Sequence, residues 1–168
     1  MSRVFGKVCI VCGGSRGIGK AVCEAFANRG GKVVVLGRNA DTAIKTAKSL
    51  APLKSFNHIG ISCDVSKVSE VEQCFSEIQS KVGDIDILIN AAGINRDSLF
   101  LRTKWSDVRD QIETNLLGPM FTSQAVLKSM IRKKEGCIVN IGSIVGLKGN
   151  SGQTAYSATK AGSDINIC

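Results

Sequence analysis

Along the chain, short runs of apolar residues alternate with stretches in which apolar residues recur every three or four positions. The first run, Val8 to Val11, ends in glycines, the pattern of a strand buried on both faces. A helical stretch follows, with Ile18, Ala21, Val22, Ala25 and Phe26 on one face and Gly30-Gly31 as its stop. Val33 to Leu36 is a second apolar run closed by Gly37-Arg38-Asn39, and Asp41 is the expected N-cap of a helix reaching about Leu50. His58 to Cys63 predicts a third strand that closes on Asp64-Val65. Ser66 is the expected cap of a helix in which Val68, Val71, Phe75, Ile78 and Val82 keep the three-to-four spacing. Ile85 to Ile89 predicts a fourth strand and runs into Asn90-Ala91-Ala92-Gly93. After a polar loop, a long helical region from about Trp105 to Lys133 is interrupted at Gly118-Pro119, where proline predicts a kink or a break between two helices. Cys137 to Ile141 is the fifth predicted strand.

Strands alternating with helices in this way predict an α/β fold: a Rossmann-type, doubly wound parallel sheet with helices on both faces and strand order 3-2-1-4-5. There are no internal repeats, low-complexity segments or linkers, so residues 1–168 read as a single domain. The composition is that of an ordinary globular protein, 43% hydrophobic and 21% charged, and no apolar run approaches the ~20 residues that span a bilayer. Only a few residues precede the first buried run, which leaves no room for a cleavable presequence; an uncleaved internal address stays open.

The net charge of +8 changes this picture little, because the basic residues are dispersed apart from Arg132-Lys133-Lys134 and lack the aromatic interleaving of a nucleic-acid surface. A basic surface facing an acidic partner or a phosphorylated cofactor fits better. Seven scattered cysteines point to reduced thiols inside a cell. Cys9-x-x-Cys12 has metal-site spacing, but both cysteines fall in an apolar strand and no second pair follows, so they read as core residues and no metal is expected.

Candidate chemistry begins at Gly13-Gly14-Ser15-Arg16-Gly17-Ile18-Gly19, a glycine-rich turn between strand and helix. There the backbone can approach a dinucleotide pyrophosphate closely, and the helix start offers free N–H groups and a positive dipole end. A carboxylate at the end of the second strand would hold an NAD ribose hydroxyl. Here that place is Gly37-Arg38, with Arg16 in the glycine turn, and two guanidinium groups suit the 2′-phosphate of NADPH. The second centre is Tyr156, the only tyrosine, with Lys160 four residues on. On a helix the two share a face, and an ammonium there favours the phenolate, so the tyrosine can give or take a proton at a substrate oxygen. Ser143, just after the fifth strand, could hydrogen-bond the same oxygen.

The ordered set Gly13-x-x-x-Gly17-x-Gly19, Asp64-Val65, Asn90-Ala91-Ala92-Gly93, Asn115, Ser143, Tyr156 and Lys160 resembles the classical short-chain dehydrogenase/reductase family. Longer blocks, Asn90 to Asp97, Leu101 to Lys104, Thr114 to Gly118 and Val139 to Gly152, are similar to the 3-ketoacyl-acyl-carrier-protein reductases within it. The resemblance implies that Asp64 and Val65 contact adenine, and that Asn90, Ala91 and Gly93 line the cofactor and steady the sheet. It implies that Asn115 orders a proton-relaying water, that Ser143 orients the substrate carbonyl, and that Tyr156 is the acid. Lys160 then holds the nicotinamide ribose and favours the tyrosinate. It further implies NADPH-dependent reduction of 3-ketoacyl groups on acyl carrier protein, or of quinones, in fatty acid biosynthesis. A mitochondrial matrix location (otherwise cytoplasmic) and a tetramer also follow from it, the tetramer in one form a heterotetramer with a type 8 17β-hydroxysteroid dehydrogenase. Arg132-Lys133-Lys134 would receive the acidic carrier or simply be a solvated helix end.

The sequence departs from the family pattern at Cys12, where threonine is usual, at Ala91, where a second asparagine is usual, and in the tail after Gly162. The family continues past this point with a sixth strand, a Pro-Gly loop over the nicotinamide, substrate-covering helices and a seventh strand. The alternative expectation is therefore a cofactor-binding or assembly subunit, or a truncated chain without turnover.

Overall fold

The computed structural model describes residues 3–54 and 56–163. Strand β1 (Val8–Cys12) is entirely buried and central; β2 (Lys32–Gly37), β3 (Ile59–Ser62), β4 (Ile87–Asn90) and β5 (Cys137–Asn140) complete a five-stranded sheet. All pairings are parallel and the order is β3-β2-β1-β4-β5, the predicted topology. The helices are α1 (Gly17–Ala27), α2 (Ala40–Ser49), α3 (Val68–Val82), α4 (Trp105–Ile112), α5 (Gly118–Lys133), α6 (Ile144–Lys148) and α7 (Thr154–Ser163).

The continuous apolar runs are explained by two cores, one on each face of the sheet. Ile10 and Cys12 of β1, Val34 and Leu36 of β2 and Leu88 of β4 pack with Phe75 and Ile78 of α3 and Val126 and Met130 of α5. Cys9 and Val11, Val33 and Val35, and Ile89 pack on the other face with Cys23 and Ala27 of α1 and Ala43 and Ala47 of α2. Each buried Val, Leu, Ile, Phe or Met side chain among them contributes about 1.5–3 kcal/mol. Period-two alternation sends Cys9 and Cys12 to opposite faces, so they cannot meet in one metal site or one disulfide. Burial pushes both thiols up, and it pushes Cys23 up to about 12. Among the described residues no cluster could hold a metal ion, and no helix is long and apolar enough to cross a membrane.

Several local expectations are corrected. The N-cap of α2 is Asn39, whose Oδ1 accepts from the Thr42 N–H at 2.9 Å; Asp41 lies in the first turn, where its charge meets the positive end of the helix dipole. The N-cap of α3 is Lys67, while the Ser66 hydroxyl donates to the Asp64 carboxylate at 2.8 Å. The buried face of α1 is Gly19, Cys23 and Ala27, and Ile18 is 64% exposed. A 3-10 turn at Phe100–Arg102 and the short α6 were not expected. Residues 164–168, the divergent tail, lie outside the described residues.

The break expected at Gly118-Pro119 is instead a π turn over Glu113–Leu117, joining α4 to α5 with right-handed helical dihedrals at Ile112, Glu113, Leu117 and Gly118. Pro119 has no N–H to offer the Asn115 carbonyl four residues back. The chain absorbs the gap by widening: the Gly118 N–H reaches back to the Glu113 carbonyl, five residues away. Asn115 is fully buried in this turn.

The edge of the sheet formed by the strand starts is held by Asp86. One carboxylate oxygen accepts from the Val8 N–H at 2.8 Å, and the other accepts from Lys133 Nζ at 2.7 Å with Lys7 at 3.6 Å. Its backbone also pairs with Val8 and Cys137, so one residue ties the starts of β1, β4 and β5 to the end of α5. Burial alone would raise the carboxyl's pKa, but the Lys133 hydrogen bond, the Val8 N–H and the two ammonium charges outweigh it and hold it below the ordinary value. A depressed native pKa means stability that is present above the unfolded value of about 3.9 and is lost as pH falls through the native one. Asp86→Asn is expected to cost about 1–2 kcal/mol at neutral pH, the pair being partly solvated, and to flatten the acid limb of the stability curve. Urea denaturation across pH 3 to 7 checks both.

Candidate active site

The parallel register puts Ile61, Leu36, Cys12, Asn90 and Asn140 in one row across the sheet. The ladder then continues one step past the strands: Cys63 N–H bonds the Gly37 carbonyl, Gly13 N–H the Leu36 carbonyl, Ala91 N–H the Cys12 carbonyl and Ile141 N–H the Asn90 carbonyl. Five loops therefore leave the sheet at one level. They surround a cleft of about 510 Å³ lined by residues that follow all five strands. It lies beyond the carboxyl ends of the strands, where chain order reverses between β1 and β4, the usual ligand position in such sheets.

Of the sequence-predicted cofactor residues, Gly13, Ser15, Arg16, Gly17, Ile18, Gly19, Arg38, Asp64, Val65, Ala91 and Gly93 line this cleft. Two glycines are there for distinct reasons. Gly13 has φ +76°, and a Cβ on it would come within 2.7 Å of the Ala92 backbone. A Cβ on Gly19 would overlap the Gly13 carbonyl, so this residue lets the first turn of α1 close onto the loop. Ile18 is exposed because it stands at the helix start over the cleft. Gly37 lines the cleft beside Arg38, and Asn39, Thr42 and Cys63, which were not singled out from sequence, line it too. Spacing from the end of β2, where α2 begins, was the signal for Asn39 and Thr42.

Asn90 is not in the lining. It is buried beneath it, donating through Nδ2 to Asn140 Oδ1 at 2.9 Å and to Ser123 at 3.4 Å, and accepting from Thr122 Oγ1 at 2.7 Å. Its part here is to bind β4, β5 and α5 together below the floor.

The tyrosine centre adjoins the cleft at Gly93 and Ile141. Lys160, buried on α7, donates from Nζ to the Ile141 carbonyl at 2.6 Å, and its ammonium lies 5.9 Å from the centroid of the half-buried Tyr156 ring. A Cβ on Gly93 would sit 3.9 Å from that Nζ and 3.5 Å from Asn115 Oδ1. Asn115 bonds the loop after β4 through both ends of its amide, to the Ile94 N–H and the Ile94 carbonyl, each at 2.8 Å. Ser143 is the N-cap of α6, its hydroxyl oxygen accepting weakly from the Val145 N–H at 3.4 Å. Ser143 and Tyr156 thus flank α6, which packs on α7.

Of the basic run, Arg132 pairs with Asp84 at 3.0 Å and Lys133 with Asp86, so two of its three cations are already matched by carboxylates. The end of α5 is a left-handed residue, Lys134, at φ 55°.

A parallel sheet in this order, with a glycine turn opening into a helix and a Tyr-x-x-x-Lys helix beside the same cleft, defines a Rossmann-type dinucleotide-binding architecture. The family model described as short chain dehydrogenase matches residues 7–165, and the chain belongs to that family. It is 50% identical over 156 residues to the 3-oxoacyl-[acyl-carrier-protein] reductase of Bos taurus, and 50% identical to carbonyl reductase family member 4 of Danio rerio, covering 93% of this chain and 64% of each relative. It is 40% identical to the 3-oxoacyl-[acyl-carrier-protein] reductase FabG of Escherichia coli, over 94% of this chain and 63% of that protein. The chain thus spans a little under two thirds of the length of these relatives.

Gly19→Ala is the sharpest test of the cleft wall. Alanine gains up to about 1 kcal/mol in helix propensity, but overpacking against backbone costs about 1–3 kcal/mol. A net loss in urea denaturation, together with weaker nicotinamide-dinucleotide binding in a fluorescence titration, is the expected result.

Proposed function

We propose that this chain carries the cofactor-binding and proton-donating parts of an NADPH-dependent reductase acting on 3-oxoacyl groups of acyl carrier protein, in fatty acid synthesis. The observation that carries the reading is the placement of Tyr156 and Lys160 on one helix, with the lysine anchored to the Ile141 carbonyl in the cleft wall. Relatives named 3-oxoacyl-[acyl-carrier-protein] reductase support the substrate class. A relative named carbonyl reductase supports a wider carbonyl range; quinones enter the proposal on the resemblance alone.

The residues present fit a dinucleotide: Gly13 and Gly19 let the glycine turn pack tightly on the loop after β4 and on the first turn of α1, and α1 aims its amino end into the cleft, at the place for a pyrophosphate. Arg16 and Arg38, exposed at the rim and without a carboxylate at the end of β2, suit a 2′-phosphate; the amino end of α2 opens beside them at Asn39 and Thr42. When bound, the reduced nicotinamide supplies the hydride to the carbonyl carbon. Tyr156 supplies the proton to the carbonyl oxygen, Ser143 donates a hydrogen bond to that oxygen, and Lys160 places a positive charge next to the phenol as it loses its proton. The matrix location and the heterotetramer with a type 8 17β-hydroxysteroid dehydrogenase belong to the same proposal and rest on the resemblance.

An NADPH-oxidation assay of the 168-residue chain with a 3-oxoacyl thioester, run beside a fluorescence titration of NADPH, tests the reading. Turnover with binding supports the reductase; binding without turnover supports a cofactor-binding subunit. Tyr156→Phe is expected to lower carbonyl reduction by about 10²–10⁴-fold and leave NADPH affinity in place. Retained turnover would remove the tyrosine from the mechanism. Arg16→Ala with Arg38→Ala is expected to weaken NADPH binding about ten-fold or more while NADH binding stays within two-fold, the difference being the lost charge-assisted contacts to one phosphate.

A further inference from the structure

We infer that Thr159 is a positioning residue for the tyrosine–lysine pair, working through a one-way chain of hydrogen bonds from the loop after β4 to the backbone of Tyr156. The inference rests on the catalytic reading of Tyr156 and Lys160 given above.

The direction of the chain follows from the chemistry of each group. The Ile94 N–H can only donate, and it donates to Asn115 Oδ1 at 2.8 Å, which fixes the oxygen end of that amide. Asn115 Nδ2 then has two hydrogens: one goes to the Ile94 carbonyl at 2.8 Å and the other to Thr159 Oγ1 at 3.2 Å. The Thr159 hydroxyl, accepting from Asn115, has a single hydrogen left, and it goes to the Tyr156 carbonyl at 2.7 Å. Asn115 is fully buried and Thr159 is 1% exposed, so bulk water cannot stand in for either partner.

This chain joins three parts of the site. Ile94 belongs to the cleft lining, Asn115 sits in the π turn, and Thr159 lies between Tyr156 and Lys160 on α7. Any slide or rotation of α7 that moved the phenol relative to the cleft would stretch the Thr159–Asn115 contact and leave a buried amide hydrogen without an acceptor. Lys160 is tied to Ile141 by its own bond, so polar contacts hold α7 at two points, one through Asn115 of the π turn and one directly on the loop after β5. Such control matters because a misplacement of about 1 Å can cost on the order of 10²-fold in rate.

The test uses the whole chain with carbon-13-labelled tyrosine. Tyr156 is the only tyrosine, so one ring resonance reports its surroundings. Thr159→Val keeps the shape and removes the hydroxyl; Thr159→Ser keeps the hydroxyl. Thr159→Val is expected to displace the Tyr156 resonance in the folded protein and to lower turnover about ten-fold with NADPH affinity within two-fold. Thr159→Ser is expected to restore both. A Val variant whose resonance coincides with the parent's, or a Ser variant displaced as far as Val, would overturn the inference and leave Thr159 a space-filling residue. If Thr159→Val does not fold, Thr159→Ala is read by the same two outcomes. A parent chain without turnover counts against the reductase reading, while the resonance comparison still decides the placement of Tyr156.

Discussion

Everything in the site depends on the register of β1 between β2 and β4. Backbone pairing at Cys12 with Leu36 on one side and Asn90 on the other brings three chain segments, far apart in sequence, to the same height. The next backbone bonds, from Gly13 and Ala91, extend that level into the loops. A shift of one residue in either pairing would turn every core side chain to the wrong face, so hydrophobic burial on two faces enforces the register. The cleft is a by-product of that enforcement: the sheet defines its floor, and the loops inherit their positions.

Polar groups inside the molecule serve the same end. Asn90, Thr122, Ser123 and Asn140 make a satisfied network below the floor, joining β4 and β5 to α5. Asn115 and Thr159 make a second network at the wall. Burial makes each bond costly to lose, and each one fixes an angle that apolar packing alone would leave adjustable. The π turn belongs with them, because a regular α-helix from Trp105 to Lys133 would have faced the missing donor of Pro119 and turned Asn115 to another bearing.

The fold was legible because its strands are uniformly apolar and its helices are not; strand order and helix placement followed from that contrast. The places where pattern misled are instructive. Ile18 was read as core because it is apolar at helical spacing, yet it serves the cleft mouth. Asp41 and Ser66 were read as caps by residue type, whereas capping is decided by which side chain reaches the N–H three residues on, here Asn39. Gly118-Pro119 was read as an interruption, since proline's missing donor is visible in sequence and the helix's ability to widen around it is not. The site residues were legible as a list. What sequence did not carry was their division into lining, Gly13 through Gly93, and support, Asn90 and Asn115.

The two ends of the sheet have been given different work. Asp86 closes one end with Val8, Lys133 and Lys7, while all five cleft-forming loops open at the other. Whatever strengthens or weakens the first end acts on how long the protein survives unfolding, and reaches the second only through strands whose positions are already over-determined by packing. Durability and chemistry are therefore separable traits in this chain. Substitutions around Asp86 give evolution, or an engineer, a dial for the one that leaves the other's geometry alone.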